Sequence, residues 1–231
     1  MNELSIKILT IPRHLFRNIA LIGHLETIGV PVIDLLKDGR FTFYDGFDVN
    51  DFKDVKILHA INFGFLKVFE KIVDEDRASL VMTNDCAFDY GFTWDFLLQQ
   101  YTALINAVGY ENIRIAKIIY QKECSAEGVG ITDYWVANAG VIGDYASIVT
   151  PAGAEFMLKN SNKARFEMIM YDFPKTDGMY ATTVSQARSF QRCLFNRLEP
   201  ILPERALSVM EMIKPVQLDM TRAEMKGILY E

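Results

Sequence analysis

Apolar residues recur along this chain in two rhythms, a period of about two and a period of about 3.6, and their order predicts the fold. Leu4 to Thr10 is a short run with β-branched residues and reads as a buried first strand. It leads into Ile11-Pro12-Arg13, where proline suits a turn or the first helical position. Leu15, Ile19, Ile22, Leu25 and Ile28 then share one helical face, and Gly29 followed by Pro31 marks its end. Val30 to Leu35 reads as a second strand, and Phe41 to Asp54 as an aromatic, acidic loop with a short strand inside it. Val55, Leu58, Ile61, Phe65, Phe69 and Ile72 repeat at three- and four-residue steps, which predicts a helix over 54–76.

The second half alternates more quickly. Ser79 to Met82 reads as a strand, Phe92 to Val108 as a helix, and Ile113 to Tyr120 and Ile131 to Ala137 as two strands joined by a glycine-bearing loop. Tyr145 to Val149 is a further strand, and Pro151 opens a helix through Lys159. After Gly178 the pattern reads as helical to the end, punctuated by Pro200, Pro203 and Pro215. The early strand–helix alternation implies a parallel sheet with right-handed crossovers, and the later strands are close enough in sequence to pair antiparallel. In such sheets ligands sit beyond the carboxyl ends of the strands, where Ile11 to Arg17 and Thr83 to Asp89 both lie.

Composition narrows the partners. Half of the 231 residues are apolar and 23% are charged, the balance of a globular chain and not of a disordered one. The net charge of −6 gives no global basic footprint for nucleic acid, although a local basic cleft is compatible with it. Cys86, Cys124 and Cys193 are scattered and odd in number, which fits neither a disulfide framework nor a zinc site. Free thiols, no signal-peptide pattern and no apolar window of about 18 residues together lead to the expectation of a cytoplasmic protein without a membrane span.

The common catalytic motifs are missing: no Walker loop, no Gly-x-Gly-x-x-Gly after the first strand, no Gly-x-Ser-x-Gly elbow. His14, His24 and His59 have no metal-ligand spacing, and His24 and His59 read as structural residues of amphipathic helices. Three segments carry candidate chemistry. Arg13 and Arg17 stand one turn apart at a helix start, either to hold a phosphate or diphosphate or as solvated charge. Thr83-Asn84-Asp85-Cys86-Ala87-Phe88-Asp89 leaves a buried strand, either as a cation-binding carboxylate loop or as an Asx turn. Asp172 and Asp177 flank Phe173-Pro174-Lys175-Thr176 ahead of a helix, as a general base or as a helix cap.

Taken in order, these segments resemble glycosyltransferase family 25, the lipooligosaccharide-type β-glycosyltransferases of GT-A-like fold. Ile11-Pro12-Arg13-His14-Leu15-Phe16-Arg17 is similar to the family's Leu-x-x-Arg-x-x-Arg segment, and Tyr44-Asp45-Gly46 to its Ala-Val-Asp-Gly element. Leu80 to Phe88 lies in register with its strand ending in Glu-Asp-Asp-x-x-Phe. Tyr145 to Ala154 is close to its Tyr-x-(Ile/Val)-(Ser/Thr)-x-x-Gly-Ala segment, and Pro174 to Asp177 to its Pro-x-Asp motif. The departures are the acidic triplet, reduced here to Thr83-Asn84-Asp85, and the Ser-His pair of the long helix, replaced near Ala60-Ile61-Asn62-Phe63.

The resemblance implies a GT-A-like, Rossmann-type mixed sheet flanked by helices over residues 1–183, with a helical C-terminal extension over 184–231 packed on it. It implies an inverting transfer from a nucleotide-sugar donor, a UDP-sugar, to an acceptor hydroxyl on a glycan or lipopolysaccharide. Arg13, Arg17, Asn84, Asp85 and Asp89 would bind the donor. Asp85 would carry Mn2+ or Mg2+, and Asp177, then Asp172, would serve as catalytic base. Two alternatives stand beside this reading. One is a hydroxymethylated base in DNA as acceptor, with Lys53, Lys56, Lys117, Lys122, Lys159, Lys163 and Arg165 lining a basic face; the other is a non-catalytic nucleotide-sugar-binding relative. The apolar stripe Ala206, Val209, Met210, Met212 and Ile213 reads first as core, with a homodimer face or an acceptor platform as the other options.

Overall fold

A computed structural model describes residues 4–46, 57–89, 91–120, 122–123, 128–137, 141–142, 146–160, 178–183 and 204–218 of the chain. Strand β1 (Ser5–Thr10) is buried along its whole length because helices cover both of its faces. Its side chains alternate, with Ile6 and Ile8 in one core and Leu9 in the other. A short 3-10 turn (Pro12–His14) leads into α1 (Leu15–Thr27), which ends as its sequence requires. Gly29 adopts φ +90°, the Gly29 N–H donates to Glu26 O and the Val30 N–H to Leu25 O, so the last carbonyls are satisfied by a Schellman cap.

The next segment departs from expectation. Residues read as a second strand form instead the short helix α2 (Val32–Lys37), with Val32 and Leu35 buried one turn apart. A four- to eight-residue apolar run does not distinguish strand from helix, and here Pro31 before it and Asp34 in its first turn favour the helix. The true second strand is β2 (Phe41–Asp45), within the stretch read as a loop containing a short strand. Helix α3 (Ile57–Glu75) and strand β3 (Ser79–Thr83) follow where periodicity puts them.

Strands β2 and β3 both pair parallel to β1, one on each side. Helices α1 and α2 cover one face and α3 the other, the arrangement right-handed crossovers give when a chain steps first to one side of β1 and then to the other. Helix α4 (Trp94–Val108), capped by the Thr93 hydroxyl on the Phe96 N–H, precedes β4 (Ile115–Ile119). The short strands β5 (Lys122–Glu123), β6 (Val129–Gly130), β7 (Trp135–Ala137) and β8 (Val141–Ile142) come next, and β5 and β8 form a separate antiparallel pair. Strand β9 (Ala146–Val149) inserts antiparallel between β3 and β4.

Helix α5 (Pro151–Asn160) starts at a tight junction. The Thr150 hydroxyl accepts from the Gly153 N–H at 3.1 Å, and a Cβ on Gly153 would stand 2.0 Å from Arg114 O. The Ser/Thr-x-x-Gly-Ala segment of the family resemblance is, in this chain, the cap and close contact that dock α5 onto the start of β4.

A second departure comes after Gly178. Residues read as helical form β10 (Met179–Thr182), parallel to β4 and antiparallel to β7. The sheet supplies the slot: the Arg114 and Ile115 N–H groups both donate to Gly178 O, and Ala181 is fully buried between its neighbours. Helix α6 (Glu204–Met212) packs on α1, burying Ala206 and Val209, with Ile213 just beyond it, in the same core. Met212 of the predicted apolar stripe is instead 52% exposed. The chain then adds β11 (Val216–Gln217) parallel to β2, a strand where helix was expected. The result is α/β, a nine-stranded mixed sheet in the order β11-β2-β1-β3-β9-β4-β10-β7-β6 flanked by helices. No helix among the described residues is long and apolar enough to cross a membrane.

Candidate functional site

The strand order 2-1-3 places a topological switch beside β1, because the chain leaves β1 for one neighbour and returns to the other. At such a point the loops after adjacent parallel strands diverge and leave a crevice at their carboxyl ends. Both following loops are tied back to β1: the Gly46 N–H donates to Thr10 O at 2.7 Å and the Asn84 N–H to Leu9 O at 3.2 Å. Gly46 fits closely there, since a Cβ would lie 3.1 Å from Leu9 Cδ1 and from Thr10 O.

The floor is a buried polar triad. Thr10 Oγ1 donates to Asn18 Oδ1 at 2.8 Å, and Asn84 Nδ2 donates to Thr10 Oγ1 at 2.8 Å and to Asn18 Oδ1 at 2.9 Å. The side-chain amide of Asn84, a residue 5% exposed, therefore joins β1, α1 and the loop after β3. Thr10 and Asn18 were not singled out from the sequence, although Asn18 is a polar residue on the apolar face of α1 (Ile22, Leu25) and Thr10 a polar end to a buried strand.

Asp85 follows in the turn closed by the Cys86 N–H on Thr83 O. Its Oδ1 atom is buried and has no hydrogen-bond partner among the described residues. The loop beyond is anchored by Phe88, whose N–H donates to His24 Nε2 at 2.9 Å and whose ring stacks on Phe92 with centroids 4.4 Å apart. His24 is thus a structural residue that holds the Asp85 loop onto α1. Asp89, at the far end of that loop, is exposed. Cys86 is buried, and burial, then the Asp85 charge, pushes its thiol well above the usual range, which makes it a packing residue.

Arg13 lies exposed in the 3-10 turn and Arg17 half-buried in the first turn of α1, on the same sheet edge as Asp85. Asp45 ends β2 in register with Thr10 and is 7% exposed. Burial holds its carboxyl above the ordinary carboxylate range, opposed by a hydrogen bond from the Gln217 side-chain amide. In the sequence Asp45 belongs to the Tyr44-Asp45-Gly46 segment, and its position at the carboxyl end of the strands depends on the register of β2 against β1.

Asp172 and Asp177 lie outside the described residues, as do Lys53, Lys56, Lys163 and Arg165. Lys117 is 1% exposed inside β4, so it does not line a basic face, whereas Lys159 is solvent-exposed. No group of three or more His, Cys, Asp or Glu side chains able to hold a metal occurs among the described residues. A hard cation at Asp85 would find one carboxylate ligand there and would take its remaining ligands from a bound molecule and water. Two clefts lie at the opposite, amino-terminal edge of the strands, one near Glu111 and Arg114 and one near Asp34 and Arg205.

No protein-family model matches the chain, and no curated protein matches it in sequence. Among solved structures, a glycosyltransferase involved in the glycosylation of the major capsid of PBCV-1 is similar to it at a TM-score of 0.38 and 11% identity, over 98% of this chain and 100% of that one.

Proposed function

We propose that the crevice at the carboxyl ends of β1, β2 and β3 binds a nucleotide-sugar, a UDP-sugar first among them, and that the protein is an inverting glycosyltransferase acting on a glycan hydroxyl. The observation that carries this reading is the buried, unpartnered Oδ1 of Asp85 at a parallel-strand switch point, on the same edge as Arg13 and Arg17. A buried carboxylate oxygen without a donor costs free energy unless a ligand supplies one, or a cation does. The ordered segments that resemble family 25 supply the choice of donor.

In the proposed reaction the acceptor oxygen forms a bond to the anomeric carbon while that carbon's bond to the diphosphate oxygen breaks. The acceptor proton passes to a carboxylate, assigned to Asp177 with Asp172 as second candidate, and the electron pair of the broken bond leaves on the diphosphate. That developing charge is what Arg13, Arg17 and the positive end of the α1 dipole would stabilise. Mn2+ or Mg2+, when bound, would neutralise diphosphate charge; Asp85 would hold it and Asp89 could face the metal or the sugar. A glycan acceptor is preferred to modified DNA because Lys117, one of the lysines of the required basic face, is buried.

The test is a thermal-shift panel of nucleoside diphosphates and nucleotide sugars with and without Mn2+, followed by donor hydrolysis assays. A ligand that binds the native state raises the melting temperature by mass action. Stabilisation by UDP or a UDP-sugar with slow hydrolysis supports the enzyme. Stabilisation with no turnover on any donor supports the binding-only relative. No stabilisation and no turnover overturns both.

A further inference from the structure

The C-terminal strand reaches the same edge as the crevice. β11 pairs parallel with the last two residues of β2, Val216 against Tyr44 and Gln217 against Asp45. The Gln217 side-chain amide donates to Asp45 Oδ2, and the Leu218 N–H donates to Asp45 O at 3.3 Å. Leu218, 9% exposed, packs in the core that contains Leu9 and Tyr44. One residue of the crevice is therefore gripped at backbone and side chain by a segment more than 170 positions later in the chain.

We propose that Gln217 is a positioning residue of the donor site: it orients the Asp45 carboxylate so that its other oxygen accepts hydrogen bonds from hydroxyl or N–H groups of the bound nucleotide. This rests on the crevice being the nucleotide-sugar site. The chemistry is that of a carboxylate with one oxygen fixed internally. A single amide donor removes a rotamer choice and leaves the second oxygen available, while two-residue pairing of β11 sets the amide's reach. The geometry also explains why a carboxylate tolerates a nearly buried place: an amide donates to it without bringing a compensating charge that would compete with the ligand.

The experiment measures binding of UDP, GDP, ADP and TDP to the full chain by calorimetry in Mn2+ buffer, for wild type, Gln217→Leu and Gln217→Glu. Loss of the amide in Gln217→Leu is expected to weaken the bound diphosphate about tenfold, the scale of one hydrogen bond to a charged group, with the melting temperature close to wild type. Gln217→Glu places a second carboxylate against Asp45; its binding is weak at neutral pH and recovers on mild acidification, as the pair takes up a proton. Equal affinities in all three chains overturn the positioning role. So does weakened binding in Gln217→Leu without any pH-dependent recovery in Gln217→Glu, which is the pattern of a strand that only supports the fold. A wild-type chain that binds none of the four diphosphates overturns the site assignment itself.

Discussion

Asn84 at the end of β3 and Asn18 in α1 are joined by a 2.9 Å hydrogen bond, with Thr10 of β1 closing the ring between them. The family resemblance places an acidic residue where this chain has Asn84. In this ring the two Nδ2 protons face acceptors, so an acid there would set oxygen against Asn18 Oδ1. Asn84→Ala is expected to lower stability by about 1–3 kcal/mol, because buried partners lose their donor. Asn84→Asp should cost at least as much and confer no metal binding. Urea unfolding of both variants checks this.

Asp85 stands in contrast. With no hydrogen bond to its buried Oδ1 among the described residues, Asp85→Asn should leave the unfolding midpoint unchanged or raise it. The same substitution should abolish turnover and the added thermal stabilisation that Mn2+ gives to a bound diphosphate. Retained Mn2+-dependent stabilisation would show that Asp85 is not a ligand.

Asp45 should produce a pH signature. Its folded pKa is raised by burial, so the fold favours the protonated form. That contribution is present below the unfolded carboxylate pKa, about 3.9, and is lost as pH rises through the folded value. Asp45→Asn, which still accepts from Gln217, should therefore gain stability relative to wild type between about pH 4 and pH 7. UDP affinity should fall in the same variant. Parallel urea curves at the two pH values read the first effect and calorimetry the second.

Lys7 is 1% exposed and both Glu75 carboxylate oxygens lie 2.7 Å from its Nζ, with Tyr44 OH at 3.3 Å. Burial lowers the lysine's pKa against the pull of Glu75. Glu75→Gln strips a buried ammonium of its counter-charge and should cost about 2–3 kcal/mol, below the full range for buried pairs because Glu75 is 37% exposed. A depressed lysine favours the fold above its unfolded pKa and penalises it below, so the deficit should shrink toward about pH 10. Lys7→Met combined with Glu75→Gln should recover most of it, as unfolding at pH 7 and pH 10 would show.

Gly153→Ala tests the α5 junction. The new methyl would lie 2.0 Å from Arg114 O, a backbone atom that cannot rotate away. The expected loss is about 1–3 kcal/mol or more, with local shifts at the start of β4. Gly64→Ala meets only Leu9 side-chain atoms, at 2.7 Å, and should cost less. A melting-temperature series of the two variants decides it.

Periodicity made much of this molecule legible. The long apolar stripe of α3, the Gly29 stop of α1, and the strand runs of β1, β3 and β9 are local patterns, and local patterns survive in a sequence. Val32 to Lys37 and Met179 to Thr182 went the other way because six- and four-residue segments take the state their surroundings offer: a helix between Pro31 and Asp38, a strand between β4 and β7. At the site, Arg13, Arg17 and Asp85 were visible as charged groups just past predicted strands. Asp45 and Gln217 were not paired in advance, since nothing local links residues joined only by sheet register.

The two outermost strands of the large sheet, β11 and β6, are two residues long and exposed. Among the described residues the strands β1, β3 and β4 each have a partner on both sides, so their ladders are closed to a second chain that would extend the sheet.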